Sequence, residues 1–287
     1  MGDNILTILL IILGIGAVIG VALYIYSYFE AGWLKVDIRD ITPPLRNGSR
    51  QNKTITIGFL SDSHGKYCHF TPERVIEEFN KYPCDMVLFG GDCCLKDRVE
   101  DTDFAMLTKL SAALKEKNIP LYAVYGNHDR ALRDEDFGKM GTILLRDRWE
   151  EITIDDVKFA LGGLYDSGRK TRTWPAIPEG FSDYPGFRLM LVHNPDYIYS
   201  LDDCSKTGET PYDYQLSGHL HGGQVHLPFC LEYRLLRSDR IALEDDILSG
   251  EFTLHGISGF ISKGVGCGAL PIRFCARPEI HILKFHI

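Results

Sequence analysis

The sequence predicts an α/β fold: a four-layer α-β-β-α sandwich of two mixed sheets, preceded by one N-terminal transmembrane helix. Three observations support this prediction. The first half alternates short apolar runs with amphipathic helical segments, whereas the second half consists mainly of strand-like runs. One long uncharged apolar run occupies the N-terminus. Polar residues follow the end of nearly every predicted strand, which is where α/β folds place their functional sites.

The N-terminal run extends from Ile5 to Phe29 without a charged residue, which is long enough to span a bilayer as a helix. A cleaved signal peptide is the alternative, and it would have a basic start, a shorter apolar core and a small-residue cleavage site. Here no Lys or Arg precedes the run, and its end is aromatic, as in an interfacial belt. We therefore predict an uncleaved membrane anchor over residues 1–33.

Basic residues follow the anchor but do not precede it: Lys35, Arg39, Arg46, Arg50 and Lys53. The positive-inside rule then predicts a single-pass protein of the cell membrane with the bulk of the chain in the cytoplasm. The eight cysteines show no CxxC spacing. Free thiols of this kind fit a reducing compartment.

Hydrophobic periodicity and turn residues predict the remaining elements in order. Residues 34–52 read as a leading strand (34–41) and a linker, and residues 53–287 as the main domain. In the first half of that domain we predict strands at 53–61, 86–89 and 121–125, with helices opening at Thr71-Pro72-Glu73 and spanning 101–117. In the second half we predict a hairpin over 151–161 and strands at 187–192, 214–217, 224–227, 252–262 and 279–287.

The predicted strand ends carry a set of side chains suited to metal binding: Asp62, His64, Asp92, Asn127, His128, His193, His219 and His221. Carboxylate, imidazole and amide oxygen are ligands of divalent ions such as Mn, Fe or Zn. The set contains no cysteine, which argues against a structural zinc site. It is too large for one ion, whereas two divalent metal ions that share a carboxylate would use nearly all of it.

Taken in order, these motifs resemble the pattern of the calcineurin-like metallophosphoesterase superfamily. They are Asp62-Ser63-His64, Gly91-Asp92, Gly126-Asn127-His128-Asp129, His193 and Gly218-His219-Leu220-His221. Three further features are similar to its YkuE-like, membrane-anchored branch: the N-terminal helix, His193-Asn194-Pro195-Asp196 with Gly222-Gly223-Gln224-Val225, and the tail over residues 271–280. The resemblance covers the chain from residue 53 to the C-terminus.

The resemblance implies a role for each residue of the motifs. Asp62, His64 and His221 would hold one metal ion, and Asn127, His193 and His219 would hold the other, with Asp92 bridging them. The catalytic residues would be His128 and Asp129. His128 would stabilise the developing charge or protonate the leaving oxygen, and Asp129 would orient His128.

The resemblance also implies hydrolysis of a phosphodiester or pyrophosphate bond in a phosphate-ester substrate. Because the anchor keeps the site near the bilayer, a lipid-linked substrate such as a UDP-2,3-diacylglucosamine-type precursor is the favoured interpretation. One alternative is a general phosphodiesterase or phosphomonoesterase acting on soluble substrates. Another, of a different class, is a catalytically silent metal-binding membrane scaffold. The formal net charge of −8 argues against a nucleic-acid partner.

Three stretches near the last motif lead to further hypotheses. Residues 227–237 mix bulky apolar side chains with Arg234 and Arg237, which suggests a membrane-facing or lipid-tail-binding lip, with plain core packing as the alternative. His226 is a candidate to support a metal ligand without binding the metal. The glycine-rich run over residues 264–268 predicts a tight turn near the site.

Overall fold

The computed structural model describes residues 2–45, 53–95, 99–166 and 173–287, so the predicted linker residues 46–52 lie outside the described ranges. The helices are α1 (Gly2–Glu30), α2 (Pro72–Lys81), α3 (Asp101–Lys115), α4 (Asp134–Lys139), α5 (Leu231–Leu236) and α6 (Arg240–Glu244). The first strands are β1 (Lys35–Ile41), β2 (Thr54–Leu60), β3 (Met86–Phe89), β4 (Leu121–Ala123), β5 (Ile143–Leu144) and β6 (Arg148–Ile154). The remaining strands are β7 (Val157–Leu164), β8 (Phe187–Val192), β9 (Tyr214–Ser217), β10 (Gly250–Leu254), β11 (Ile257–Ile261) and β12 (Glu279–His286).

The strands form two six-stranded mixed sheets, as the sequence predicted. The first sheet has the order β1-β12-β2-β3-β4-β5, and only the β12–β2 pair in it is antiparallel. The second sheet has the order β10-β11-β9-β8-β7-β6, with antiparallel pairs at its two edges. Strands β2, β3, β4 and β5 of the first sheet are therefore parallel to one another, as are β11, β9, β8 and β7 of the second, and their carboxyl ends point the same way within each sheet.

Three clusters of buried apolar side chains confirm the four-layer arrangement. The cluster between the sheets includes Phe59, Leu88, Leu191 and Phe285. A second cluster packs the outer face of the first sheet against α2 and α3. A third covers the outer face of the second sheet, where α6 and the short 3₁₀ segment over residues 195–200 contribute. Each sheet therefore buries one face against its partner and the other against helices.

Local sequence signals explain α2, which begins and ends as predicted. The Thr71 hydroxyl accepts a hydrogen bond from the Arg74 N–H at 3.4 Å and caps the first turn, with Pro72 at the first helical position. The helix ends at Lys81, shortly before Pro83. Its buried face packs Val75 and Phe79 into the second cluster.

Two strand predictions need correction. The prediction of a strand over residues 224–227 is wrong, because Gln224 has a φ of 55° and only Val225 makes an isolated bridge, to Phe274. The run over residues 252–262 forms two strands instead of one. His255 and Gly256, with φ values of 51° and 78°, turn the chain between β10 and β11.

Helix α1 is long and apolar enough to cross a membrane, and its most apolar window is not buried in the structure. Its last turn, by contrast, packs against the loop over residues 273–276. The Ser27 carbonyl accepts the Arg273 N–H at 2.9 Å, and the Glu30 carboxylate accepts the N–H groups of Cys275 and Ala276 at 3.1 and 3.0 Å. From there β1 joins the first sheet directly, in parallel register with β12.

Candidate metal centre

The carboxyl ends of the two sheets meet at one edge of the sandwich, and the seven predicted metal ligands lie there. The first sheet contributes Asp62 and His64 after β2, Asp92 after β3 and Asn127 after β4; the second contributes His193 after β8 and His219 and His221 after β9. Five of them are buried, whereas Asn127 and His219 are partly exposed. These two side chains mark the solvent-facing side of the cluster.

The backbone at the site is strained. Five of the seven predicted ligands have left-handed φ values: Asp62 (56°), His64 (48°), Asp92 (61°), His219 (73°) and His221 (54°). Each such non-glycine residue costs on the order of 1–3 kcal/mol. The surrounding fold must enforce this conformation, and strain of this kind is concentrated at functional sites.

The first group of ligands consists of Asp62, His64 and His221. The Nε2 atoms of His64 and His221 lie 3.1 Å apart, and Asp62 Oδ1 lies 3.4 Å from His221 Nε2 and 4.0 Å from His64 Nε2. His64 Nδ1 donates to the Cys94 carbonyl at 2.7 Å, which leaves Nε2 with its lone pair directed at the group. Burial lowers the pKa of both histidines, so both remain neutral, as metal binding requires.

The second group contains Asp92, His193 and His219, with Asn127 beside it. His193 Nε2 lies 3.2 Å from Asp92 Oδ2 and 3.1 Å from Asn127 Oδ1. His193 Nδ1 donates to the Gly90 carbonyl at 2.7 Å, so Nε2 again faces the group.

Asp92 lies between the two groups. Its Oδ2 atom is 3.2 Å from His193 Nε2 in the second group and 3.8 Å from His64 Nε2 in the first. Its Oδ1 atom accepts the His128 N–H at 2.7 Å, which orients the carboxylate. The adjacent Gly126 is required sterically, because a Cβ there would lie 2.1 Å from Asp92 Oδ1.

The donor set fits divalent ions. Two buried carboxylates in close proximity are costly unless cations balance them. Burial by itself would lower the pKa of His193, but Asp92 and Asp62 outweigh that effect and raise the pKa to about 10. Burial would likewise raise the pKa of Asp92, but His193 and His64 hold it well below its usual range. A proton on His193 therefore supplies part of the positive charge that a metal cation would bring to the site.

His128 lies beside the ligands, as predicted, with its ring centroid 5.4 Å from that of His64 and its side chain partly exposed. Asp129 has a different set of contacts from the one the resemblance implied. Its Oδ2 atom accepts the N–H groups of Asp92 and Gly126 at 2.7 and 2.8 Å, and its Oδ1 atom accepts the Cys94 N–H at 3.0 Å. Asp129 thus ties the loop after β3 to the loop after β4. These contacts favour a positioning role for Asp129 over the predicted orientation of His128.

Two charged side chains outside the predicted set, those of Arg273 and Asp239, contact ligand histidines. The buried Arg273 guanidinium donates to the His221 carbonyl at 3.1 Å and lies 3.2 Å from His221 Nδ1. Asp239 Oδ1 lies 3.0 Å from His219 Nε2, which leaves His219 Nδ1 as the nitrogen for a metal. Arg273 could have been found from the sequence, because it is a lone Arg between the apolar residues Ile272 and Phe274. Asp239, in a polar run, carried no such signal.

The structure bears on two further hypotheses near the site, the tight turn over residues 264–268 and the role of His226. The glycine-rich turn lies against the first group: the Gly266 N–H donates to the Asp62 carbonyl at 2.7 Å, and a Cβ at Gly264 would lie 2.7 Å from Asp62 Cβ. His226 Nδ1 lies 3.0 Å from Glu232 Oε1. This contact ties the segment after the last motif to α5.

Comparisons with known proteins agree with this geometry. A family model described as calcineurin-like phosphoesterase matches residues 55–223. The phosphodiesterase YaeI of Escherichia coli is 28% identical over 269 residues, which cover 90% of each chain. The uncharacterized metallophosphoesterase YkuE of Bacillus subtilis is 27% identical over 235 residues, covering 78% of this chain and 76% of YkuE.

A shorter match involves a protein named as a pyrophosphatase. The UDP-2,3-diacylglucosamine pyrophosphatase LpxG of Chlamydia trachomatis is 34% identical over 113 residues, which cover 37% of this chain and 32% of LpxG. The family match spans more than half of the chain and contains all seven predicted ligands. The chain therefore belongs to the calcineurin-like phosphoesterase family, whose members use a dinuclear divalent-metal centre, and it is a metal-dependent phosphoesterase.

Proposed function

We propose that the protein is a membrane-anchored dinuclear-metal phosphoesterase that hydrolyses a phosphodiester or pyrophosphate bond of a lipid-linked substrate. In this proposal residues 1–33 form the anchor, residues 34–52 the leading strand and linker, and residues 53–287 the catalytic domain. A UDP-2,3-diacylglucosamine-type precursor is an example of the substrate class.

The observation that carries the proposal is the packing of the last turn of α1 against the catalytic domain. The buried Glu30 carboxylate satisfies two backbone N–H groups of the loop over residues 273–276. Removal of α1 would break both hydrogen bonds and expose the donors to water, and a hydrogen bond to a charged group contributes about 1.5–3 kcal/mol. This cost favours a retained anchor over a cleaved signal peptide.

The same loop links the anchor to the metal centre. The Arg273 backbone N–H donates to the Ser27 carbonyl of α1, and the Arg273 guanidinium contacts His221 of the first group. The metal centre therefore lies within a few residues of the point where α1 meets the domain. A phosphate group at the membrane surface is the substrate best placed to reach it.

The geometry of the two groups supports the proposed ligand roles. Asp62, His64 and His221 would hold one ion, Asn127, His193 and His219 the other, and Asp92 would contact both. The pair of ions, Mn, Fe or Zn, would supply Lewis-acid stabilisation of charge on the phosphoryl oxygens. His128, at the open side, would donate a proton to the leaving oxygen, and Asp129 would hold the loops of Asp92 and Asn127 in register.

The relatives support two versions of the substrate. LpxG, by its name a pyrophosphatase of a diacylated nucleotide sugar, supports the lipid-linked version, although the match covers about a third of each chain. YaeI, a phosphodiesterase by name and matched along most of its length, equally fits a general phosphodiesterase. The anchor contacts favour the first version.

For location, we propose a single-pass cell-membrane protein with a cytoplasmic catalytic domain. Lys35 and Arg39 directly follow the anchor, and the seven cysteines of the described chain are free thiols. Protease treatment of sealed spheroplasts tests the orientation. Digestion of the catalytic domain from outside would contradict the cytoplasmic placement.

Activity of the detergent-solubilised full-length protein tests the function. We expect Mn-dependent hydrolysis of a generic aryl phosphate diester, and faster hydrolysis of one phospholipid or nucleotide-linked lipid in a substrate screen. Hydrolysis of soluble esters alone would favour the general phosphodiesterase. A folded, metal-loaded and inactive protein would favour the scaffold.

A further inference from the structure

We infer that an apolar surface beside the metal centre contacts the lipid bilayer; this inference rests on the proposed membrane anchoring. The surface, called here the apolar rim, consists of Phe229, Leu231, Leu235 and Leu270. Their exposed fractions are 82%, 41%, 77% and 54%. These values exclude core packing for the side chains concerned. A cluster of large exposed apolar residues marks an interaction surface.

The anchor determines which face of the domain meets the membrane. Asn4 to Tyr26 would extend about 34 Å as a helix, close to the thickness of the hydrocarbon core of a bilayer, about 30 Å. The hydrogen bonds to the domain begin at Ser27, one residue later. No flexible linker separates the two, so the loop over residues 273–276 lies at the membrane surface.

The apolar rim is continuous with this loop. The Tyr26 ring of α1 lies 6.0 Å from the Phe274 ring, and the Phe274 carbonyl accepts the His226 N–H at 2.8 Å. His226 in turn pairs with the buried Glu232 of α5, the helix that carries Leu231 and Leu235. A short chain of contacts therefore connects the anchor to the rim.

Leu270 lies on the same side of the molecule. Its carbonyl accepts a hydrogen bond from Gln224 Nε2 at 2.7 Å, and Gln224 also binds the Gly268 N–H at 2.9 Å through Oε1. A Cβ at Gly268 would lie 3.6 Å from His221 Nε2. The rim thus borders the first group of metal ligands.

The charges around the rim suit a bilayer with anionic headgroups. Arg277 is exposed and contacts the Trp33 carbonyl at the end of the anchor, and Arg234 is exposed on α5, 3.9 Å from Asp246. Apolar side chains flanked by Arg are typical of segments that lie in the membrane interface. Because the rim continues the surface held at the membrane by α1, the bilayer is its occupant, in preference to a second copy or another protein.

The consequence concerns the substrate. A lipid whose acyl chains remain in the bilayer could present its phosphate to the metal centre without leaving the membrane, because the rim sits at the interface. The substrate class is therefore an amphiphile with a phosphate or pyrophosphate in its headgroup.

Fluorescence quenching tests the inference without any turnover. The full-length protein is reconstituted in phosphatidylcholine vesicles with or without brominated acyl chains, which quench only tryptophans that reach them. Phe229→Trp places a reporter on the rim. The matched control is Ile143→Trp, a position 37% exposed on β5, at the edge of the first sheet opposite to β1. The native Trp33, at the end of α1, reports insertion of the anchor.

We expect brominated lipid to reduce the fluorescence added by Phe229→Trp and to leave that added by Ile143→Trp unchanged. Equal responses at the two positions, with Trp33 quenched, would overturn the bilayer contact and leave the anchor intact. An unquenched native protein would overturn the anchor and the rim together. Leu235→Trp repeats the test at a second exposed position in case Phe229→Trp does not fold.

Discussion

The two groups of metal ligands differ in how the protein surrounds them. Asp62, His64 and His221 of the first group are buried, whereas Asn127 and His219 of the second are partly exposed. The first group holds two neutral histidines, because burial lowers their pKa values. In the second, the carboxylates of Asp92 and Asp62 overcome the effect of burial and keep His193 protonated.

The residues that support the two groups differ as well. Arg273, which is buried and bonded to α1 through the Ser27 carbonyl, contacts His221 of the first group. Asp239, on the segment between α5 and α6, contacts His219 of the second. The interior and α1 therefore support the first group, whereas the second is more exposed and depends on a surface segment.

The largest expected effect comes from removing the residue that the two groups share. Asp92→Ala should abolish binding of both ions and lower turnover by about a thousandfold or more, because each ion contributes several kcal/mol of charge stabilisation. Elemental analysis of the purified variant gives the metal content. Asp92→Asn keeps the shape and removes the charge. A fully loaded Asp92→Ala protein would refute the bridging role.

Substitution of His128 tests whether this partly exposed residue is the proton donor. His128→Ala should lower turnover by about a hundredfold to ten-thousandfold while both ions stay bound. Turnover and metal content are measured on the same sample, with His286→Ala, on β12 away from the site, as the control. Unchanged turnover would remove His128 from the mechanism.

Substitution of Asp239 distinguishes the two groups most directly, because Asp239 contacts a histidine of the second group. Asp239→Asn should weaken binding of the second ion by about tenfold to a hundredfold, as loss of a carboxylate behind a metal-bound histidine generally does, and leave the first unchanged. Competition with a chromophoric chelator measures both affinities. Asp245→Asn, whose carboxylate contacts Tyr199, is the matched control. Equal weakening of both ions would contradict the separate supports.

The smallest effect is a difference in proton release. His193 is protonated below a pKa of about 10, so binding of an ion to the second group at pH 7 must release one proton, and affinity should rise about tenfold per pH unit. His64 and His221 are already neutral there, because their pKa values lie below the ordinary value of 6.5. The first group should therefore release none.

Calorimetric titration in buffers of different ionisation enthalpy measures this release. One binding step should release about one proton and the other close to none. Equal release in both steps would show that the two groups share their protons, and the contrast between them would disappear.

The order of polar motifs along the chain predicted the candidate site well. Parallel strands place their carboxyl ends at one edge, so side chains after β2, β3, β4, β8 and β9 had to meet once the sheets were paired. The predicted strand over residues 224–227 is wrong because the loop after β9 continues through a positive φ at Gln224. A pattern of apolar residues does not reveal such a backbone conformation. The orienting role suggested for Asp129 rested on adjacency to His128, while its actual donors are backbone groups from two loops.

By itself, the sequence determined the fold class, the apolar N-terminal helix and the candidate ligand residues, because these depend on local periodicity and on motifs that strands carry to their ends. Only the tertiary structure decided that Asp92 lies between the two groups, that Arg273 and Asp239 contact different histidines, and that the end of α1 is bonded to the loop over residues 273–276. The reason is physical: these contacts join residues up to 246 positions apart, and their distances arise only when both sheets and α1 pack together.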